Sequence, residues 1–334
     1  MENTEDNRRG LRELLVATPG CEDHISGVVR QAEEHGAAGL LDTTRVCAPR
    51  PACLSDSQRR AQILYEETLW QSTSAGVPFP SLLAAKGMVP GIKLDIGTQA
   101  LPGGRAGETW TAGLDTLAHR AAASYAAGAR FAKWRAVVCV DAAQGLPSDL
   151  AVAEAAHTLG RYARTCQEAG LVPIIEPEVL ADGQHSMQEC SAVTERVLHA
   201  VFAACQLSGV LLPGCLLKPN MVTPGLACTA PASTAAIAEA TLEVLLRCVP
   251  PAVPGVMFLS GGQSEEQSTE RLGAIVAAGA ARRAPWVLSF SYGRALQHSA
   301  IRAWKGSAEN IGQAQSTFLG RCGANGAAAA GGSV

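Results

Sequence analysis

GCLLKPNMVTPG, residues 214–225, sets a lysine directly behind an apolar run. The run reads as a buried strand, and a lysine carried into a low-dielectric interior is costly unless it is paired or neutral. Two readings of Lys218 stand side by side. In one, the strand ends there and the ammonium reaches water along its aliphatic stem. In the other, the amine is kept neutral as a nucleophile.

The same layout recurs on both sides of this stretch. From about residue 86 onward, a short apolar strand is followed by a polar residue at its carboxyl end, a Gly/Pro-rich loop and an amphipathic helix. The strands read as MVPGIKLD (88–95), ARFAKWRAVVCV (129–140), LVPIIEPEVL (171–180), GCLLKPNMV (214–222), GVMFLSGG (255–262) and WVLSFSYG (286–293). One helix starts with Ser148 as its N-cap and stops at Gly170; others are predicted near 108–127, 186–207, 232–248, 264–278 and 299–312. Alternating βα units argue for a parallel sheet with helices outside. The strand-end residues step evenly: 40 residues from Lys93 to Lys133, 43 to Glu176, 42 to Lys218, 42 to Ser260 and 31 to Ser291. Such units, with functional groups at one end, describe an α/β fold of the TIM (βα)8 type. A doubly wound open sheet ranks second, because no Gly-x-Gly-x-x-Gly follows an early strand.

Composition narrows the function. Of 334 residues 47% are apolar and 17% charged, and the net charge is −3, so neither disorder nor a nucleic-acid partner is expected; a small molecule is. Eleven cysteines without a Cys-x-x-Cys pair fit small core residues in a reducing compartment. No two histidines fall at zinc-ligand spacing, so His185 and His298 are read as surface or satisfied core residues, and no metal is expected. No run is long enough to span a membrane, and the acidic start MENTEDNRRG resembles neither a signal nor a transit peptide.

In a barrel, Lys133, Arg135, Glu176, Glu178 and Lys218 converge on one mouth. Two close lysines lower each other's pKa, as a Schiff-base lysine requires. SGGQS (260–264) and SYGR (291–294) lie at successive strand ends and suit a phosphate together: Ser260, Gly261 and Gly262 in the first, Ser291, Gly293 and Arg294 in the second.

FAKWR (131–135), GLVPIIEPEVLADG (170–183), LLKPNMVTPG (216–225), VPPAVPGVMFLSGGQSEEQ (249–267) and PWVLSFSYGRALQ (285–297) resemble class I fructose-1,6-bisphosphate aldolase, nearly continuously from about residue 63 to about 322. The resemblance implies a barrel, a homotetramer, a cytoplasmic protein and no metal or organic cofactor. It implies Lys218 as the Schiff-base lysine, Glu176 as the acid/base that dehydrates the carbinolamine, and Lys133 with Arg135 as polarising cations. Lys93 and Arg294 would hold the two phosphate ends, with Glu178, Ser260, Gly261, Gly262, Ser291 and Gly293 around the substrate.

The chain also departs from that family. Counting HISGVV (24–29) with ILYEETL (63–69) as one strand gives seven, where a closed barrel needs eight. The strand not found is the family's first, whose aspartate stands nearest the Schiff base. Residues 30–62 read as an inserted loop, 323–334 as a flexible tail, and the whole of 1–334 as one domain. Three further expectations follow: Asp42 as a substitute carboxylate, an impaired phosphosugar-binding relative as the rival function, and a plastid location if a transit peptide precedes residue 1.

Overall fold

The computed structural model describes residues 4–25 and 60–332. Asp42, most of the stretch read as an insertion and most of HISGVV lie outside them. Helix α1 (Glu5–Ala17) opens the chain, its Thr4 side chain accepting from Asn7 N at 3.2 Å. Strand β1 (Arg60–Leu64) and helices α2 (Glu66–Trp70) and α3 (Phe79–Ala85) lead into β2 (Met88–Lys93). A hairpin of β3 (Thr98–Ala100) and β4 (Thr109–Thr111) precedes α4 (Leu117–Ala126). Then β5 (Phe131–Val138), α5 (Asp149–Glu168), β6 (Val172–Val179), α6 (Met187–Leu207), β7 (Leu216–Leu217), α7 (Thr234–Cys248), β8 (Gly255–Phe258), α8 (Glu265–Ala281) and β9 (Val287–Phe290) alternate strictly. Helices α9 (Arg294–Trp304) and α10 (Ile311–Ala329) close the chain.

Among the described residues, seven strands form one parallel sheet in the order β1-β2-β5-β6-β7-β8-β9; of the stretch ILYEETL read as a strand, only Ile63 and Leu64 belong to β1, and Glu66 onward is helix α2. Successive side chains on a strand face opposite ways, and this divides the interior in two. Val89, Phe131, Ile174, Leu216 and Met257 fill the inside of the curled sheet, whereas Ala132, Trp134 and Ala136 join the larger core beneath the helices. Trp134 meets Tyr162 of α5 with ring centroids 5.3 Å apart. Serine caps fix where the helices start. Ser148 accepts from Ala151 N, and Ser186 and Ser264 form capping boxes with Glu189 and Gln267.

Four boundaries differ from the sequence reading. Residues 108–127 are not all helix, because β-branched Thr109 and Thr111 pair back on β3 and α4 starts only at Leu117. The helix expected over 299–312 is two: α9 begins at Arg294, Lys305 turns left-handed at φ 56°, and α10 starts at Ile311. The stretch read as an insertion gives up residues 60–62 to β1, which pairs with β2 from Arg60↔Met88 onward. Residues 323–329 are helical rather than a loose tail, since Cys322, Asn325 and Ala328 are buried and Asn325 accepts from Thr269 at 2.9 Å.

Candidate active site

Lys93 at the end of β2, Lys133 and Glu176 within β5 and β6 rather than at their ends, and Lys218 just after β7 come together at one mouth. Alternation along β5 puts Lys133 and Arg135 on the inner face two and four positions above Phe131, and Glu176 stands two above Ile174 on β6. A buried carboxylate sits between two buried amines: Glu176 Oε1 is 2.9 Å from Lys218 Nζ and Oε2 is 2.9 Å from Lys133 Nζ. Lys133 also meets Asp95 Oδ2 at 3.3 Å, and Lys93 pairs with the other oxygen of the same carboxylate. Arg135 Nε pairs with Glu178 Oε2. The backbone fixes Lys218 in place: Lys218 N donates to Ile175 O at 2.8 Å, and the Asn220 side chain accepts from Val179 N at 3.1 Å.

The two lysines share Glu176, but their pKa values move in opposite directions. Burial pulls the Lys218 pKa below the ordinary lysine value; Glu176 pushes back, and the Lys133 ammonium adds to the downward side. Burial acts on Lys133 too, yet Glu176 and Asp95 together outweigh it, and its pKa rises. Glu176 is held below the usual carboxylate range because Lys218 and Lys133 overcome its burial, and Lys133 and Lys93 do the same for Asp95. The expected mutual lowering of the two amines therefore resolves into one cation and one amine biased toward neutrality.

A cavity of about 250 Å³ opens above this network, lined by Lys93, Lys133, Lys218, Ser291 and Gly293 among others. Glu176 touches the cavity only through the two amines it holds. Arg135 and Glu178 pair with each other but do not line the cavity, and a Cβ on Gly261 would come within 3.8 Å of Glu178 Oε1. The SGGQS stretch is a turn closed by Gln263 N donating to Ser260 O at 2.8 Å, with Gly262 left-handed at φ 74°. Gly262 and Arg294 do not reach the cavity; they line a groove beside it, with Glu265, His298 and Arg302. Arg294 is exposed there because it occupies the first turn of α9. His185 is buried, as a core residue should be, but neither ring nitrogen has a hydrogen-bond partner, so it is not a satisfied one. Asp95 escaped the sequence reading; the signal was its place two residues after Lys93, on the same strand face.

A model of the class I fructose-bisphosphate aldolase family matches residues 56–333. The chain belongs to the class I fructose-bisphosphate aldolases. As an aldolase it is an aldehyde-lyase of glycolytic type. Cytosolic fructose-bisphosphate aldolase 5 of Arabidopsis thaliana is 48% identical over 325 residues, covering 97% of this chain and 80% of the relative. The cytoplasmic isozyme of Spinacia oleracea is also 48% identical over 325 residues, with the same coverage. A solved Plasmodium falciparum aldolase, crystallised with TRAP and a small-molecule inhibitor, superposes with a TM-score of 0.86 at 46% identity, covering 99% of this chain and 84% of that one. Its fold is the TIM-type barrel expected from the strand spacing. The names of these plant relatives point to the cytosol and give the plastid reading no support.

Proposed function

We propose that this aldolase cleaves fructose 1,6-bisphosphate reversibly to dihydroxyacetone phosphate and glyceraldehyde 3-phosphate, with Lys218 as the Schiff-base lysine. The observation that carries the assignment is the single buried carboxylate held 2.9 Å from each of two lysines, only one of which is biased toward the neutral amine. Lys218 Nζ adds to the C2 ketone. Glu176, in contact with that nitrogen, takes one proton from it before the addition; the adduct nitrogen gives a second to the C2 oxygen, and Glu176 returns the first as the hydroxyl leaves as water. The iminium then draws the C3–C4 electron pair toward nitrogen as the bond breaks, giving an enamine and an aldehyde. The C4 hydroxyl proton goes to Glu176, which is a carboxylate again once water has left. No further cofactor is called for, because the iminium is the electron sink.

Lys133 and Arg135 add fixed positive charge beside the reacting carbons. The network sets three cations, Lys93, Lys133 and Arg135, and the Lys218 amine against three carboxylates, Asp95, Glu176 and Glu178, so the mouth carries no net negative charge that would repel an anionic substrate. Lys93, Ser291 and Gly293 line the cavity for one phosphate, and Gly293 is the N-cap of α9, which leaves the helix's first amides without a side-chain cap. Arg294 lies one residue further on, in the adjoining groove, from which a swing of its guanidinium would bring it over the same helix end. Ser260, Gly261 and Gly262 form the neighbouring turn beside that phosphate, and Glu178 orients Arg135. The assembly is a homotetramer of the cytosol, which light scattering and fractionation check.

Borohydride added with dihydroxyacetone phosphate should leave one reduced adduct, on Lys218. An adduct on Lys133, or none in folded protein, overturns the assignment.

A further inference from the structure

On the outer face of the barrel, α6 and α7 bring together three donors that no line of the mechanism uses. Glu195 and His199 stand one turn apart on α6, and Cys248 ends α7. One ligand atom from each lies within 4.8 Å of the other two. The Cys248 thiol is aimed at α6, its Sγ 3.8 Å from the Glu195 carbonyl oxygen. Cys248 is buried, Glu195 partly buried and His199 exposed, so the cluster faces solvent from one side only. None of the three lines the barrel cavity or the groove beside it.

We propose that Glu195, His199 and Cys248 form a binding site for a borderline divalent cation of the zinc type, with water in the fourth position. Thiolate, imidazole and carboxylate are the zinc donor set, and around a tetrahedral ion the sulfur and nitrogen atoms stand about 3.5 Å apart. Closing from 4.8 Å to that distance needs side-chain rotation and no helix movement. The backbones are already fixed by packing, since Val197, Leu198, Val244 and Leu245 beside the donors are buried in the core. A sulfur ligand disfavours calcium and magnesium, which take oxygen donors. Arg247 contacts Glu195 Oε2 at 3.2 Å and supplies the counter-charge that the ion would replace. Binding is a proton exchange without redox change: the Sγ–H bond breaks, the proton goes to water, and the Sγ–metal bond forms. The ion would staple two consecutive βα units far from the Lys218 chemistry. Only one histidine takes part, so no spacing of two histidines announces the site.

Cobalt(II) titrated into the full chain reads the proposal out, because a thiolate bound to cobalt absorbs in the near ultraviolet. One equivalent should raise that band, and zinc should remove it. Cys248→Ser should abolish it. His199→Ala changes an exposed side chain and should weaken affinity at least about tenfold, since losing even an outer-shell partner costs that much. No band at millimolar cobalt overturns the site. So does a band that survives Cys248→Ser, which would place the ion on another cysteine, or an affinity unchanged in His199→Ala.

Discussion

Glu176 is the residue on which the mouth depends, because it alone contacts both Lys133 and Lys218. Glu176→Gln leaves two buried amines facing a neutral amide, and removing one partner of a buried pair costs about 3–5 kcal/mol. Urea denaturation should show a loss of that size, and a loss below about 1 kcal/mol, the surface-pair value, would mean the pair is not desolvated. The acid limb follows from the directions of the shifts. Asp95 and Glu176 both have folded pKa values below their unfolded ones, so the unfolded chain binds more protons between the two. Their stabilisation is therefore present above the unfolded values, about 3.9 and 4.3, and is lost as pH falls through the folded ones. Asp95→Asn should lower stability near neutrality and flatten the fall toward acid. An acid limb as steep as in the parent chain would assign that fall to other carboxylates.

Elements divide into those that the sequence makes legible and those that tertiary contact decides. The strands carrying Lys133, Glu176 and Lys218 are legible because each sets charge into or just behind an apolar run, and helices α5, α6 and α8 because Ser148, Ser186 and Ser264 cap them. Asp95 is not, since a Lys-x-Asp at a strand end also reads as a solvated turn; only the neighbouring strand makes it a partner of Lys133. Helix α10 is not either, because Ala and Gly alone promise little helix until Phe318, Cys322 and Ala328 are buried. Arg294 was placed by its strand end, but the first turn of α9 directs it to the groove. Gly91 shows the reverse case, a residue whose need is wholly tertiary. It pairs across from Phe131, and a Cβ there would stand 2.2 Å from the Phe131 ring. Gly91→Ala should cost about 1–3 kcal/mol by overpacking. Phe131→Leu shortens the offending ring, so the double variant should lose less than the two single losses added, a coupling seen in a double-mutant cycle. Strict additivity would show that the ring has room to move aside.

At the scale of the whole molecule, the sheet begins at β1 and ends at β9, and among the described residues neither strand pairs on its outer side. Ala61, Gln62 and Ile63 of β1 look across the cavity at Phe290 of β9 and at Ser291, so the gap in the wall and the substrate cavity are one space. Strands bonded on one side open at lower free energy than strands bonded on both. The middle of the sheet is the opposite case, where β5 and β6 pair in register over eight residues, from Phe131↔Val172 to Val138↔Val179. The two edges also differ from each other. Beyond β9 the chain is tied down: Ser291 N donates to Phe258 O at 2.9 Å, and the Tyr292 hydroxyl donates to Ser268 O of α8 at 2.9 Å. At the β1 side, Glu67 of α2 is clasped by Arg8 and Arg12 of α1 at 2.9 and 2.7 Å, but those three side chains remain partly exposed and hold the helix rather than the strand. Native-state hydrogen exchange should therefore rank amide protection as β5 and β6 first, β9 next and β1 last, with β1 opening well below the global unfolding free energy. A phosphosugar bound in the cavity would contact both edges and should raise protection at β1 and β9 while leaving β5 and β6 unchanged. If β1 amides exchange as slowly as those of β6 without any ligand, its outer edge is paired with another strand and the gap beside Lys218 is closed.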